Sequence, residues 1–205
     1  MNSKTRILRI DASANVSNSN SKKLGDKLIE KLETQYQNIG VNQRDLNQDL
    51  FFIDESWVGA NFTPAQDRSE DQRRQLVFSD LLIDEIKHAD HIVLTTPMYN
   101  FGIPATLKSW IDLICRAGVT FQYTADGPVG LIKNKRFDIV ITTGGVPLQS
   151  PVDFVSDYLK QVLRFIGIED VNIIAADQMN VDAESSYAGA LDQIEKSYGF
   201  SHVAA

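Results

Sequence analysis

Cysteine is almost absent from this sequence. Of its 205 residues only Cys115 is a cysteine, so neither an intrachain disulfide nor a cysteine-based metal site can form. Chains without disulfides are typical of the reducing cytoplasm, which is where we expect this protein. Histidine is also scarce: His88, His91 and His202 are scattered, with no ligand partner at helical spacing. We therefore expect no metal site, and we expect all three histidines at the surface.

Long apolar runs and an excess of positive charge are missing as well. No stretch approaches the ~18 consecutive apolar residues of a transmembrane helix, and the amino terminus lacks the apolar segment of a secretory signal. The formal net charge is −7, and a surface of that sign repels nucleic-acid phosphates and anionic lipid headgroups. The composition therefore argues against nucleic acid and membranes as partners.

Short apolar runs alternate along the chain with longer helical patterns. The apolar fraction of 43% suffices for an ordinary core, and the length fits a single α/β domain over residues 1–205. Five strands alternating with five helices predict a parallel sheet with helices on both faces. The predicted strands lie at 7–10, 41–46, 91–96, 137–142 and 171–176, and the predicted helices at 24–36, 69–88, 154–165, 183–198 and from Pro104 onward.

Residues 47–67 show no clear periodicity, and we expect them to form a long irregular loop. Such loops are uncommon and often functional. This one is rich in aromatic and other apolar residues, among them Phe51, Trp57 and Phe62. We therefore expect it to cover a ligand or a partner subunit.

The loops after the first, third and fourth strands form the candidate site, because ligands of open parallel sheets bind outside the carboxyl ends of the strands. The first loop, from Asp11 to Ser21, is dense in serine and asparagine and leads directly into a helix. Free N–H groups at a helix amino terminus suit a phosphate, and hydroxyl and amide groups add neutral donors. An equally simple interpretation is a plain turn in which Ser19 caps the helix.

The second and third loops suit a flat ring. The second loop, from Thr96 to Pro104, carries two aromatic residues and an amide, and a conjugated ring needs an apolar surface together with polar groups for its edge. The third loop, Thr142 to Gly145, ends in two glycines that let a ligand approach the backbone. Taken alone, both could be ordinary turns. Neither a G-x-G-x-x-G nor a Walker A sequence is present, which disfavours a dinucleotide-binding Rossmann site and a P-loop.

At the second loop the sequence resembles one enzyme family. The block from Pro97 to Pro104, followed by Leu107-Lys108 and Asp112, is similar to the FMN-dependent NADH-azoreductases, also described as NADH:quinone oxidoreductases, of the flavodoxin-like superfamily. Similar blocks at 116–124, 127–131 and 165–168 extend the resemblance over nearly the whole chain. The resemblance implies a flavodoxin-like three-layer sandwich whose five-stranded parallel sheet has the order 2-1-3-4-5.

The resemblance also implies the cofactor and the reaction. FMN would place its ribityl phosphate on the first loop, its isoalloxazine ring on the second and its pyrimidine edge near the third. NADH, or NADPH, would reduce it in a ping-pong transfer of hydride, and a quinone or an azo compound would then take the two electrons. The implied FMN-binding residues are Ser13, Ser19, Asn20, Ser21, Pro97, Met98, Tyr99, Asn100, Phe101, Thr142, Thr143, Gly144 and Gly145.

The sequence departs from the family pattern in two places. Many members carry serine, sometimes followed by arginine, where Thr142 and Thr143 stand, and the first loop keeps only Ser13 of a commoner serine-rich start. We name no catalytic side chain, because solvent or the flavin itself can supply protons.

The family's active unit is a homodimer with FMN near the subunit interface. That arrangement would give the apolar residues of 51–62, together with Phe121 and Tyr123, a role in covering the flavin or packing on the partner.

Two alternative functions come from other classes. A flavodoxin-type carrier would bind FMN but pass single electrons to protein partners. Such carriers are usually shorter and strongly acidic around the flavin, whereas this chain has the extra 47–67 segment and the azoreductase-like blocks. A redox sensor is the weaker alternative, because no DNA-binding or signalling segment is present.

Overall fold

The computed structural model describes residues 4–48 and 51–199. The strands are β1 (Thr5–Asp11), β2 (Ile39–Asp45), β3 (His91–Pro97), β4 (Phe121–Thr124), β5 (Gly127–Gly130), β6 (Arg136–Thr142) and β7 (Asp170–Ala176). The helices are α1 (Asn20–Gln35), α2 (Glu55–Phe62), α3 (Glu70–His88), α4 (Ala105–Ile114), α5 (Ser156–Ile166) and α6 (Ala183–Tyr198). Five strands form one parallel sheet in the order β2-β1-β3-β6-β7. This confirms the predicted order, since β4 and β5 form a separate hairpin.

Successive residues of the central strands point into two different cores. Val93 packs with Leu28 of α1 and Ile194 of α6, whereas its neighbours Ile92 and Leu94 belong to the core that contains α3, α4 and α5. This alternation is the period of two expected for a strand whose two faces are both buried. The result is the predicted three-layer arrangement.

The expectation of an irregular loop over residues 47–67 is wrong. The segment contains α2 and a short 3₁₀ turn, Ala65–Asp67. Asp54 caps α2 by accepting a hydrogen bond from the Trp57 N–H at 2.8 Å, and burial of the Trp57 ring fixes the helix to the core. The helix has no detectable period because apolar residues, including Phe62, also lie on its exposed side.

The hairpin of β4 and β5 was not predicted from the sequence. Its strands are only four residues long and pair in antiparallel fashion from Phe121–Gly130 to Thr124–Gly127. Phe121 anchors it by packing on Phe165 of α5, with ring centroids 4.2 Å apart.

Three predicted helix starts lie one or two residues too early. The helix predicted from Ser69 begins at Glu70, with Ser69 at the N-cap. The helix predicted from Pro104 begins at Ala105, with Pro104 at the N-cap. The helix predicted from Phe154 begins at Ser156.

The prediction that all three histidines lie at the surface is wrong for His91. His88 is exposed, as expected, and His202 lies outside the described residues. The His91 side chain is buried between the sheet and the carboxyl ends of α1 and α6, where its Nε2 lies 2.5 Å from Asp138 Oδ2. Asp138 also accepts hydrogen bonds from the Tyr198 hydroxyl and from Asn172 Nδ2. These hydrogen bonds give the buried Asp138 carboxylate three donors, which makes its burial possible.

Asp138 makes the stability of the fold depend on pH. Burial alone would raise the pKa of its carboxyl group, but hydrogen bonds from His91, Tyr198 and Asn172 outweigh burial and hold that pKa below its ordinary value of 3.8. A lowered folded pKa contributes stability above the unfolded value, and this contribution is lost as the pH falls through the folded value. We therefore expect Asp138→Asn to lower the free energy of unfolding by about 3 kcal/mol at neutral pH, by progressively less below pH ~4.

Urea unfolding of the wild type and of Asp138→Asn between pH 3 and pH 7 tests this prediction. The range is chosen because carboxyl groups titrate at its lower end. Asp192→Asn is the control. Among the described residues, Asp192 pairs only with Lys196, on the exposed face of α6, and loss of such a pair costs less than about 1 kcal/mol. A difference between Asp138→Asn and the wild type that stays constant down to pH 3 would contradict the assignment.

Candidate functional site

The three loops predicted to form a site leave the sheet side by side. They follow β1, β3 and β6, which are neighbours in the sheet. The pairing of Asp11 with Thr95 and of Pro97 with Thr142 brings the carboxyl ends of these strands to one edge. Two further backbone hydrogen bonds continue beyond the ladder, from Ala12 N–H to the Thr95 carbonyl at 2.9 Å and from Met98 N–H to the Thr142 carbonyl at 2.8 Å. The sheet thus holds the starts of all three loops in fixed register.

The first loop is folded by its own polar side chains. The side-chain Oδ1 of Asn15 accepts a hydrogen bond from the Asn18 N–H at 2.9 Å, and its Nδ2 donates one to the Asn18 carbonyl at 3.0 Å. Buried Ser13 accepts a hydrogen bond from the Asn15 N–H at 3.3 Å. Asn47, two residues after β2, donates a 2.7 Å hydrogen bond to the Ser13 carbonyl. The loop therefore curls above the sheet as an ordered structure.

The first turn of α1 presents free N–H donors beside this loop. Ser19 is the N-cap, and its hydroxyl accepts from the Lys22 N–H at 3.3 Å and lies 3.1 Å from the Ser21 hydroxyl. Among the described residues, no acceptor bonds to the N–H of Asn20 or Ser21, as is usual for the first positions of a helix. Capping and anion binding, which the sequence left as alternatives, are thus compatible at this helix end.

The nearby cations are already engaged with protein groups. Lys22 lies 3.0 Å from Asp45 and Lys23 2.5 Å from Asn18. Burial would raise the pKa of the Asp45 carboxyl, but hydrogen bonds from Asn47 and Lys22 outweigh burial and lower it. An anion bound at this helix end would therefore meet neutral N–H and O–H donors together with the helix dipole.

A buried ion network beneath α1 was missed by the sequence analysis. Asp11 is fully buried and accepts hydrogen bonds from Arg9 at 3.1 Å, from Thr95 at 2.7 Å and from Gln43 at 2.7 Å. Arg9 also donates to the Lys22 carbonyl, in the first turn of α1, at 3.0 Å. The network ties β1, β2 and β3 to the helix start. In the sequence Asp11 is the first residue of a polar loop, and nothing local shows that its partners converge.

The second loop is a tight turn with two left-handed residues. Tyr99 and Gly102 exchange backbone hydrogen bonds of 2.9 and 3.0 Å. Between them Asn100 and Phe101 have φ values of +49° and +68°, as in a type I′ turn. Phenylalanine rarely adopts this conformation, at a cost of about 1–2 kcal/mol, and such strain clusters at functional sites.

The same turn presents aromatic surface to solvent. Tyr99 is 40% and Phe101 52% exposed, whereas Met98 packs against the core beneath the turn. Phe154, just before α5, is 64% exposed and donates its N–H to the Phe101 carbonyl at 3.2 Å. The helix predicted over 154–165 would include Phe154. The structure instead places its backbone against the second loop.

The third loop combines a buried anchor with two free donors. Thr143 is buried, and its hydroxyl donates to the Val146 carbonyl at 2.5 Å and accepts from the Gln178 N–H at 2.9 Å. No acceptor among the described residues bonds to the N–H of Gly144 or Gly145. A Cβ atom at Gly145 would meet nothing within 4 Å. The third loop therefore offers backbone N–H groups and an open approach.

The described residues were also compared with the requirements of a membrane span and of a metal site. None of the helices in the described part of the chain combines the length and apolar character needed to span a bilayer. Within residues 4–48 and 51–199, no three histidine, cysteine, aspartate or glutamate side chains are grouped to hold a metal ion.

The strand order defines a flavodoxin-like α/β protein. The edge formed by the carboxyl ends of β1, β3 and β6 fits that class, because it carries anion donors, exposed aromatic rings and free backbone N–H groups. A family model described as "Flavodoxin-like fold" matches residues 5–198. An FMN-dependent NADH:quinone oxidoreductase 1 from Hahella chejuensis is 52% identical over 190 residues, which are 93% of each chain. The chain belongs to the family of FMN-dependent NADH:quinone oxidoreductases.

Solved structures agree with this assignment. An azoreductase from Bacillus anthracis strain Sterne has a TM-score of 0.86 at 26% identity, covering 96% of this chain and 100% of its own. An FMN-dependent NADH-azoreductase from Bacillus anthracis strain Ames Ancestor, solved in complex with FMN, has a TM-score of 0.83 at 26% identity, with coverages of 96% and 97%.

Proposed function

We propose that the chain binds FMN at the carboxyl edge of β1, β3 and β6 and uses NADH or NADPH to reduce quinones and aromatic azo compounds. The observation that carries this proposal is the convergence of three different donor sets at one edge of one sheet. In this proposal residues 1–205 act as a single domain in the cytoplasm, where nicotinamide cofactors are available.

The residues present fit the chemistry of FMN. A phosphate needs several donors, and the hydroxyls of Ser19 and Ser21 with the free N–H groups of Asn20 and Ser21 supply them without a cation. A conjugated ring needs an apolar surface, which the exposed rings of Tyr99 and Phe101 supply. The polar edge of that ring needs donors, which the N–H groups of Gly144 and Gly145 supply.

When bound, FMN would supply the redox chemistry, namely acceptance of hydride from the nicotinamide and donation of two electrons to the acceptor. The protein's part is to bind, orient and shield. The strained turn at Asn100 and Phe101 fixes the side chains of Tyr99 and Phe101 at the carboxyl edge of the sheet. Pro97 and Met98 hold that turn to the sheet, because the Met98 N–H is bonded to β6. Ser13 and Thr142 line the starts of the first and third loops, and both side chains are buried.

We further propose that the active unit is a homodimer. Several large apolar side chains remain exposed, and exposed apolar patches mark interaction sites. They include Phe62, Tyr123 and Phe154, which are 79%, 73% and 64% exposed. In the dimer these side chains pack on the partner subunit or cover the flavin.

We expect the purified protein to oxidise NADH with a quinone as the acceptor, in the absence of any partner protein. Steady-state turnover with benzoquinone, with sedimentation of the same preparation, tests both parts. An electron carrier would show FMN binding but no such turnover. A fully active monomer would contradict the dimer and leave the reaction standing.

A further inference from the structure

The segment from Asp177 to Asn180, which follows β7, is fastened to the third loop by its own backbone. The Met179 N–H donates to the Thr143 carbonyl at 2.9 Å, and the Asn180 N–H donates to the Gly144 carbonyl at 2.8 Å. The Gln178 N–H donates to the Thr143 hydroxyl at 2.9 Å. Three successive N–H groups thus bind one dipeptide. We call residues 177–180 the clamp.

The clamp is itself anchored on both sides. The Asp177 carboxylate accepts a hydrogen bond from the Leu148 N–H at 2.8 Å, which ties the clamp to the segment that follows the third loop. The Ser186 hydroxyl, in the first turn of α6, donates to the Asp177 carbonyl at 2.5 Å. Gln178 has a φ of +58°, so the backbone turns sharply to aim its N–H at Thr143.

The clamp sets the direction of the free donors in the third loop. In a planar trans peptide, the carbonyl of one residue and the N–H of the next point in opposite directions. The carbonyls of Thr143 and Gly144 point at the clamp. The N–H groups of Gly144 and Gly145 therefore point away from it, toward the side where no described residue accepts them.

We propose that Thr143 is a positioning residue, whose hydroxyl group locks the clamp to the third loop and so aims the Gly144 and Gly145 N–H groups at the polar edge of the flavin. This inference rests on the proposed FMN binding. The reduced ring carries more negative charge at its polar edge than the oxidised ring, so aimed donors bind the reduced form more tightly. The hydroxyl of Thr143, which is bonded to Val146 and Gln178 within the protein, thereby tunes both the affinity for FMN and its reduction potential.

The test compares Thr143→Val, which keeps the shape and removes the hydroxyl, with Thr143→Ser, which keeps the hydroxyl. We expect the valine variant to bind FMN about tenfold more weakly and to shift the potential of bound FMN to more negative values. That shift is about 30 mV for each further tenfold loss in affinity for the reduced form. In the FMN-free protein, we expect faster amide hydrogen exchange at residues 178–180. The serine variant should retain the wild-type affinity, potential and exchange.

Tyr198→Phe is the control for general destabilisation. It removes another buried hydroxyl, one that donates to Asp138 at the opposite end of the sheet, so we expect lower stability but unchanged FMN affinity. Equal affinity and potential in wild type and Thr143→Val would overturn the inference. So would a serine variant as impaired as the valine variant, or an equal loss of affinity in Tyr198→Phe. A wild type that takes up no FMN would instead overturn the proposed function itself.

Discussion

Asn20→Asp is expected to weaken FMN binding ten- to hundredfold while it stabilises the FMN-free protein. Asn20 is the first residue of α1 and is exposed, and its own N–H is free. Aspartate has nearly the same shape, so the change is mainly one negative charge. That charge interacts favourably with the helix amino terminus, by about 0.3–1 kcal/mol. The same charge repels a dianionic phosphate held there, by about 1.4–2.8 kcal/mol in a solvated site.

The opposite signs of these two effects make this prediction specific. A variant that simply damaged the fold would lose stability and affinity together. Gln35→Glu is the matched control, because it adds the same charge at the carboxyl end of the same helix. There we expect a slightly lower free energy of unfolding and no change in FMN affinity. Calorimetric titration with FMN and urea unfolding of the FMN-free proteins measure both quantities. If Asn20→Asp binds FMN as tightly as the wild type, the phosphate lies elsewhere.

Gly130→Ala is expected to destabilise the fold by about 3 kcal/mol, a large value for one added methyl group. Gly130 ends β5 against the carboxyl end of α5. A Cβ atom there would lie 2.1 Å from Gly167 N and 2.3 Å from Ile166 C, and backbone atoms cannot rotate out of the way as side chains can. The α5 end is fixed because the Gly167 N–H bonds to the carbonyls of Leu163 and Arg164.

The hairpin would therefore have to separate from α5. That movement would strain the 2.9 Å hydrogen bond from the Ile132 N–H to the Ile166 carbonyl and the packing of Phe121 on Phe165. Gly189→Ala is the control, since a Cβ atom at this exposed position of α6 meets nothing within 4 Å. Alanine in a helix interior should raise stability by about 0.5–1 kcal/mol. Thermal or urea unfolding distinguishes the two, and a Gly130→Ala protein as stable as the wild type would contradict the close packing.

The sheet could be predicted from the sequence because its strands are buried on both faces. Runs such as Ile92-Val93-Leu94 and Ile139-Val140-Ile141 have no other stable place in a small domain. The strand order came from the resemblance, since periodicity alone does not say which strands are neighbours. The short helix α2 and the hairpin of β4 and β5 were missed because long-range packing, of Trp57 and of Phe121, holds them in place.

The residue types of the candidate site could be predicted from the sequence, but the residues that hold its loops in place could not. Serine, asparagine, aromatic and glycine residues after three strands can be seen directly in the sequence. Their supports come from distant positions: Asn47 for Ser13, Phe154 for Phe101 and Gln178 for Thr143. His91 shows the same limit, because its burial depends on Asp138 and Tyr198, which lie 47 and 107 residues away.

The most direct test of the central claim is an anaerobic absorbance measurement on the purified protein loaded with FMN. The flavin band near 450 nm is predicted to bleach when NADH is added and to return when benzoquinone is added, with one quinone consumed for each flavin reoxidised. A colourless protein that takes up no added FMN would contradict the claim. So would bound FMN that NADH fails to reduce.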